Sequence, residues 1–516
     1  MQALRASWIG GRLARSGAAT HRSRNRSAPH DHTSPVIAGV ALIAAGVTLY
    51  QLSRPGSLFG TTADVSVYLG GSIRLVHGAV PYRDFVFVQP PGFMLLATPV
   101  AFLSELIGTR DALAVLRLCT PVVSATSVVL VGRLVRHRGV PATLIACGVM
   151  ALFPAELYAL HSVLLEPVVD LYCLGGAVLV FDGDSMAGPR RLVAGGIIFG
   201  FAGTVKASAI IPVVVVAVLC LPELRRRLLP FAGGVVAGFG IPTLPFLLAA
   251  PAAFYRDVVA TQLARIPASG RAPLPTRLGD LTGVSAFAGG DIVAIAAAIT
   301  LAALVIAAFV LSRRRPTTLE WFALGSTVTV ALAQLVPAQY YPHYAAFIAP
   351  FLAILLAVSL TRLIGNRATR LTLAAAAGIV AALLINQLAY IRGQSSPDVV
   401  AAVDSVIPAG GCVTSDAPRN LVTTDRFVAA AAGCTNMTDP AGTMLALGDS
   451  SEAADVWRAA FDHADYVVTD IAIRNWSVPG DASAYVASHF RLVHSGGLLI
   501  YVRDGFPAGK GEPPSS

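Results

Sequence analysis

Past a polar head the chain alternates long apolar runs with short polar breaks. The first run, residues 35–53 (PVIAGVALIAAGVTLYQLS), is longer than a signal-peptide core and has no small-x-small cleavage site placed after it. It is therefore expected to stay as a transmembrane helix. Crossing a hydrocarbon layer of ~30 Å takes about 20 residues. Ten further runs are candidates: 113–135, 140–158, 167–181, 192–206, 209–222, 228–249, 291–311, 318–336, 344–361 and 371–391. Eleven spans are predicted. From about residue 395 the pattern changes. Segments of period two (DYVVTD at 465–470, LLIYVR at 498–503) alternate with helix-like ones (SPDVVAAVDSVI, SSEAADVWRAAFDHA), which predicts a small α/β domain.

Composition agrees with the spans. Only 13% of residues are charged and 55% are hydrophobic, with a mean hydropathy of +0.67. A water-soluble domain carries about 25% charged residues. The 47 Gly and 33 Pro are dispersed through apolar runs, which excludes collagen-like and low-complexity chains. Six cysteines without a CxxC spacing exclude a cysteine-built zinc or redox centre.

Location gives the +9 net charge its meaning. Residues 1–34 hold six arginines and a single acid, Asp31, with no apolar period, as in a disordered basic tail. Two segments are ambiguous: 90–107 (PPGFMLLATPVAFLSELI) could span, and 192–222 could be one long helix. Placing the first on the outer face and reading the second as a hairpin joined at Lys206 puts 20 of the 38 basic residues on the tail side and eight in the opposite loops. The positive-inside rule favours that register. The N-terminus is then cytoplasmic, and loops 54–112 and 250–290 lie outside. The domain at 395–505 is extracytoplasmic, and 506–516 is a short disordered tail. Residues 392–516 carry eight basic and 14 acidic residues, so no nucleic-acid partner is expected. Cys412 and Cys434 are the two cysteines outside the apolar spans; an oxidising outer compartment lets that pair close. The expected class is a mainly α, polytopic plasma-membrane protein with a C-terminal small α/β domain.

A hydrophobic chain places carboxylates sparingly, because each costs several kcal/mol if stranded in lipid. Ten of the 14 acids outside the tail and outer domain fall on or near the outer side. Asp64 lies just past the first span, in TTADVSVYLGGSIRLV. Taken alone it reads as a helix cap beside Thr61 and Thr62.

Read in order, these residues form a longer pattern. Asp64 is followed four residues on by Tyr68, then come Gly71, Pro81-Tyr82, Pro90-Pro91-Gly92 and Arg117-Leu118. Further along stand Glu166-Pro167, Lys206 in GFAGTVKAS, and Tyr340-Tyr341-Pro342-His343-Tyr344. Over about 400 residues this order resembles the C-type glycosyltransferases (GT-C superfamily). It is most similar to the branch of protein O-mannosyltransferases and lipid A aminoarabinose transferases (glycosyltransferase families 39 and 83) and to their actinobacterial relatives. The frequent Asp-Glu pair of that superfamily is Asp-x-x-x-Tyr here. A divalent cation is a possibility the resemblance leaves open, with no metal-ligand spacing to support it.

The resemblance implies transfer of a sugar from a polyprenyl-phosphate donor to a glycan, lipid or protein acceptor at the outer face of the bilayer. In that frame Asp64 is the expected general base, and Glu166 orients acceptor or base, against a plain reading as a solvated loop carboxylate. Lys206 pairs with the donor phosphate, against the plain reading of a lysine snorkelling to the interface. Arg265 beside Gln262 contacts donor phosphate, against arginines that merely touch headgroups. His343 and Tyr341 donate to phosphate or sugar, against an interfacial aromatic belt, and Tyr68 packs beside Asp64. The outer domain covers the cavity or binds acceptor. The competing readings are a transporter or flippase of lipid-linked sugars and an inactive assembly scaffold. Reporter fusions after residues 139, 228 and 316 are expected to read cytoplasmic, and an outer signal at any one breaks the register.

Overall fold

The computed structural model describes residues 32–507 apart from 61–62, 264–271, 287–289, 338, 365–369, 397–398, 409, 430–433, 435, 449 and 476–481. Helices dominate. In chain order they begin α1 (Thr33–Leu52), α2 (Ala63–Val76), α3 (Gly92–Ile107), α4 (Thr109–Leu118), α5 (Thr120–Val135), α6 (Val140–Leu152), α7 (Pro154–His161), α8 (Leu165–Val180), α9 (Pro189–Val205), α10 (Ile210–Cys220) and α11 (Leu229–Ala249). Long helices follow at Asp291–Leu311, Thr318–Leu335, Ala349–Ile364 and Arg370–Arg392. Each predicted span coincides with a helix or a helix pair. Six stretches among the described residues are long and apolar enough to cross a membrane by themselves, or seven if α6 and α7, bent by 46°, count as one. Helices α8 and α9, of 16 and 17 residues, rise only about 24–26 Å at about 1.5 Å per residue.

Burial separates core from lipid face. Helix Ala349–Ile364 buries 11 of its 16 residues and packs on α6 and on Thr318–Leu335, so it sits at the bundle centre. Helix Asp291–Leu311 buries only Ala294 and Ala308, leaving an apolar surface for acyl chains.

Glycines set the closest helix pair. A Cβ at Gly196 would lie 2.3 Å from the Phe231 carbonyl oxygen, and one at Gly200 2.2 Å from that of Val235; from the other side, Gly234 and Gly238 meet the carbonyls of Val193 and Ile197 at 2.3 and 2.0 Å. The two small-xxx-small stripes run in the same sense, so α9 and α11 are parallel. The intervening α10 must then return, and the chain leaves the helical conformation at Lys206 (φ −151, ψ 132). Residues 192–222 are thus the hairpin that arginine placement favours.

One end of the bundle is tied by ions. Glu320, in a capping box with Thr317, accepts from Arg138 at 2.7 Å and from Arg362 at 3.1 Å, and Arg138 also pairs with Asp184.

The C-terminal residues form a four-stranded sheet in the order 413–415, 466–469, 498–503, 490–496. The first pair is parallel and the other two antiparallel. Both period-two segments are strands. Helix Ser451–Asp462, capped by Ser450, turns Trp457 and Phe461 into the core. Cys412 and Cys434 are disulfide-bonded, with Cα atoms 5.6 Å apart. This part rests on α2 and the start of α4: Asp425 accepts from the Arg110 backbone N–H at 2.9 Å, and the Phe427 ring fills the space over Gly70.

Replacing Gly238 by Ala puts a methyl carbon against a backbone oxygen, and is expected to destabilise by about 1–3 kcal/mol. Gly240, two residues on, has nothing within 4 Å. Gly240→Ala is therefore expected to stay within about 0.5 kcal/mol. Thermal melts of the two full-length variants side by side check the glycine seam.

Candidate active site

A cavity of about 980 Å³ opens where α2, the α7–α8 turn, the Lys206 break, the 339–344 segment and the C-terminal part converge. Prolines and strain shape its floor. Phe153 is extended because it precedes Pro154, which bends α7 away from α6. Val163 has φ 52, a left-handed conformation that costs a β-branched residue of the order of 1–3 kcal/mol. That turn delivers Glu166 in the first helical turn of α8.

Glu166, 1% exposed, forms an ion pair with Lys206 Nζ. Two further groups converge on the pair. His343 Nε2 lies 3.9 Å from Glu166 Oε1, and Lys206 Nζ lies 4.2 Å from the centre of the Tyr344 ring, a cation–π contact. The His343 ring stacks on Tyr341, with centroids 5.6 Å apart and planes inclined by 19°.

Asp64 lines the same cavity, half-buried, as the second residue of α2. It lies inside the first helical turn rather than at the cap, where a carboxylate also favours the helix dipole. Tyr68, one turn on, is buried and lines the same wall. Burial first, and the Asp64 carboxylate next, hold its phenol well above the ordinary range, so it is a neutral hydrogen-bond donor. Asp280, at the cavity's rim, accepts from Tyr340 Oη at 3.1 Å, and burial raises its carboxyl.

Among the described residues, no group of three or more His, Cys, Asp or Glu is placed to hold a metal ion. Glu166 is already ion-paired with Lys206.

No protein-family model and no curated protein matches the sequence. Solved structures do. ArnT from Cupriavidus metallidurans bound to undecaprenyl phosphate superposes with a TM-score of 0.61 at 15% identity, over 91% of this chain and 97% of that one. Its apo form gives 0.60 at 13%, with the same coverage. The Archaeoglobus fulgidus oligosaccharyltransferase tethered to an acceptor peptide gives 0.54 at 12%, over 90% of this chain and 74% of that one.

The chain has the C-type glycosyltransferase fold. With its apolar helices, the GT-C fold makes it a multi-pass membrane protein.

Within this GT-C frame the site residues expected from sequence fare unequally. Asp64, Tyr68, Glu166, Lys206, Tyr341 and His343 all line the one cavity. Glu166 is no solvated loop carboxylate, and Lys206 is neither snorkelling nor free for phosphate alone, since each neutralises the other. Gln262 is not among the cavity's lining residues; its side-chain amide donates to the carbonyl of Val88, which is, at 2.6 Å. Arg265 lies outside the described residues.

Some cavity groups escaped the sequence reading. Arg419, ion-paired with Asp470, and Asp439, which caps the helix Pro440–Leu447 through Gly442 N at 2.8 Å, come from the C-terminal part; no local pattern marks them. Glu156 and Asp170 are also buried, and none of their carboxylate oxygens has a hydrogen-bond partner among the described residues. The i, i+4 spacing of Glu166 and Asp170 is the signal that was available.

Lys206→Met is expected to strand the buried Glu166 charge and cost about 3–5 kcal/mol. Combining it with Glu166→Gln should restore most of the melting temperature. A double variant no more stable than Lys206→Met would show that the two charges do not hold each other.

Proposed function

We propose that the protein transfers a sugar from a polyprenyl-phosphate donor to a glycan, lipid or protein acceptor at the outer face of the plasma membrane, with Asp64 as general base. The observation that carries this reading is convergence. Six residues picked from sequence, spread from Asp64 to His343, line one cavity in a fold shared nearly end to end with ArnT, whose structure holds undecaprenyl phosphate. That likeness favours transfer over the transporter or flippase reading.

In the proposed reaction the acceptor hydroxyl attacks the anomeric carbon of the donor. The new glycosidic bond forms as the bond to the phosphate oxygen breaks, and the hydroxyl proton passes to the Asp64 carboxylate. Tyr68, kept neutral, hydrogen-bonds on the same wall. The departing polyprenyl phosphate carries the bond's electron pair. Lys206 and Arg419, each held in place by a carboxylate, stabilise its charge, and His343 and Tyr341 orient the sugar. A cytoplasmic N-terminus and an outer C-terminal part belong to the same proposal, since they put the cavity on the outer face. Whether the sugar is a hexose or a pentose is read by a cell-free assay with polyprenyl-phosphate mannose, glucose, arabinofuranose and aminoarabinose.

Asp64→Asn keeps the side-chain shape. It is expected to lower transfer about 10²- to 10⁴-fold in protein with the wild-type melting temperature and intact donor binding. Transfer within about threefold of wild type, far short of the loss of a base, would move that role to Glu166.

A further inference from the structure

A second cleft, of about 240 Å³, lies between the outer loop at the end of α2 and the C-terminal helices Pro440–Leu447 and Ser451–Asp462. Asp64, Glu166 and Lys206 are not part of it. Asp439 lines both cavities, so the two adjoin at that residue.

The chemistry of the lining selects a ligand class. Arg74, Arg83 and Arg256 face Asp84, Asp439 and Glu452, so the formal charge of the lining is nil. Arg83 pairs with Asp84 at 2.8 Å, and Arg256 with the buried Asp257 at 2.7 Å and with Glu452 at 3.5 Å. An anion would have to displace a carboxylate and a cation an arginine. A neutral polyol displaces neither, because each carboxylate keeps spare lone pairs and each guanidinium spare N–H groups.

Two residues of the lining carry a buried polar atom without a hydrogen-bond partner among the described residues. Thr438 is 2% exposed, and its Oγ1 meets no hydrogen-bond partner among the described residues. The Nε of Arg74 is likewise buried without one, while its guanidinium lies 4.7 Å over the Phe85 ring. Buried groups of this kind are ordinarily satisfied. The cleft is smaller than the roughly 300–1,000 Å³ of pockets for drug-sized ligands, a size that suits one sugar ring.

We propose that this cleft is an acceptor subsite that holds a neutral saccharide unit adjoining the one that receives the transferred sugar. The inference rests on the transfer reading of the main cavity and deepens it: the acceptor is a glycan of at least two units that runs past Asp439, its tip by Asp64 and its next ring against Thr438 and Glu452.

The test measures binding without donor. Full-length protein in nanodiscs is titrated, by saturation-transfer NMR, with the methyl glycosides of mannose, glucose and arabinose, with the disaccharides of each, and with a glucuronate-containing disaccharide. At least one neutral disaccharide is expected to bind about tenfold more tightly than its methyl glycoside. Thr438→Val, which keeps the shape, and Glu452→Gln, on the exposed rim, are each expected to weaken that disaccharide about fivefold at the wild-type melting temperature. The proposal is overturned if no neutral saccharide binds, if mono- and disaccharides bind alike, if the acidic disaccharide binds best, or if both variants retain the disaccharide's affinity. Failure of transfer chemistry would appear separately, as disaccharide binding that persists while no donor supports transfer.

Discussion

A charged pair buried among apolar helices organises this molecule. Either partner alone would cost several kcal/mol in so dry a place, so Glu166 and Lys206 must arrive together. Their arrival constrains a large part of the fold. Glu166 depends on the strained Val163 turn and the Pro154 bend, Lys206 on the break that ends α9. The Tyr344 ring then closes over the ammonium. The price of burying the pair is repaid by a cavity wall whose cation and carboxylate are already oriented before any ligand enters.

Around that wall the bundle divides its labour. The parallel α9–α11 contact brings backbones so close that only glycine fits at Gly196, Gly200, Gly234 and Gly238, and this rigid seam fixes where α9 ends and hence where Lys206 emerges. The Arg138–Glu320–Arg362 network draws together the helix ends on the arginine-rich side. Helix Asp291–Leu311, almost unburied, faces the acyl chains. Rigidity is therefore concentrated behind the cavity.

The C-terminal part is more than a cover. Arg419 and Asp439 line the main cavity, and Asp439 and Glu452 line the cleft beside it, so residues before the sheet-bearing part supply one side of each space and that part the other.

Sequence by itself determined whatever follows from local period and from charge sidedness. Hydropathy runs located the helices, and alternation in DYVVTD and LLIYVR located two strands. Arginine placement identified the turn at Lys206, and the four-residue step from Asp64 to Tyr68 put both on one face, because a helix repeats every 3.6 residues whatever it packs against. Only the tertiary structure decided partners. Locally, Glu166, Glu156 and Asp170 are three similar acids; the turn before α8 and the break after α9 bring Lys206 to the first and leave the other two buried. Gln262 has the chemistry of a phosphate ligand, yet a carbonyl 174 residues away claims its amide. Arg419 and Asp439 reach the cavity because a sheet with a parallel crossover folds them back onto α2, a juxtaposition across more than 350 residues that no local pattern encodes.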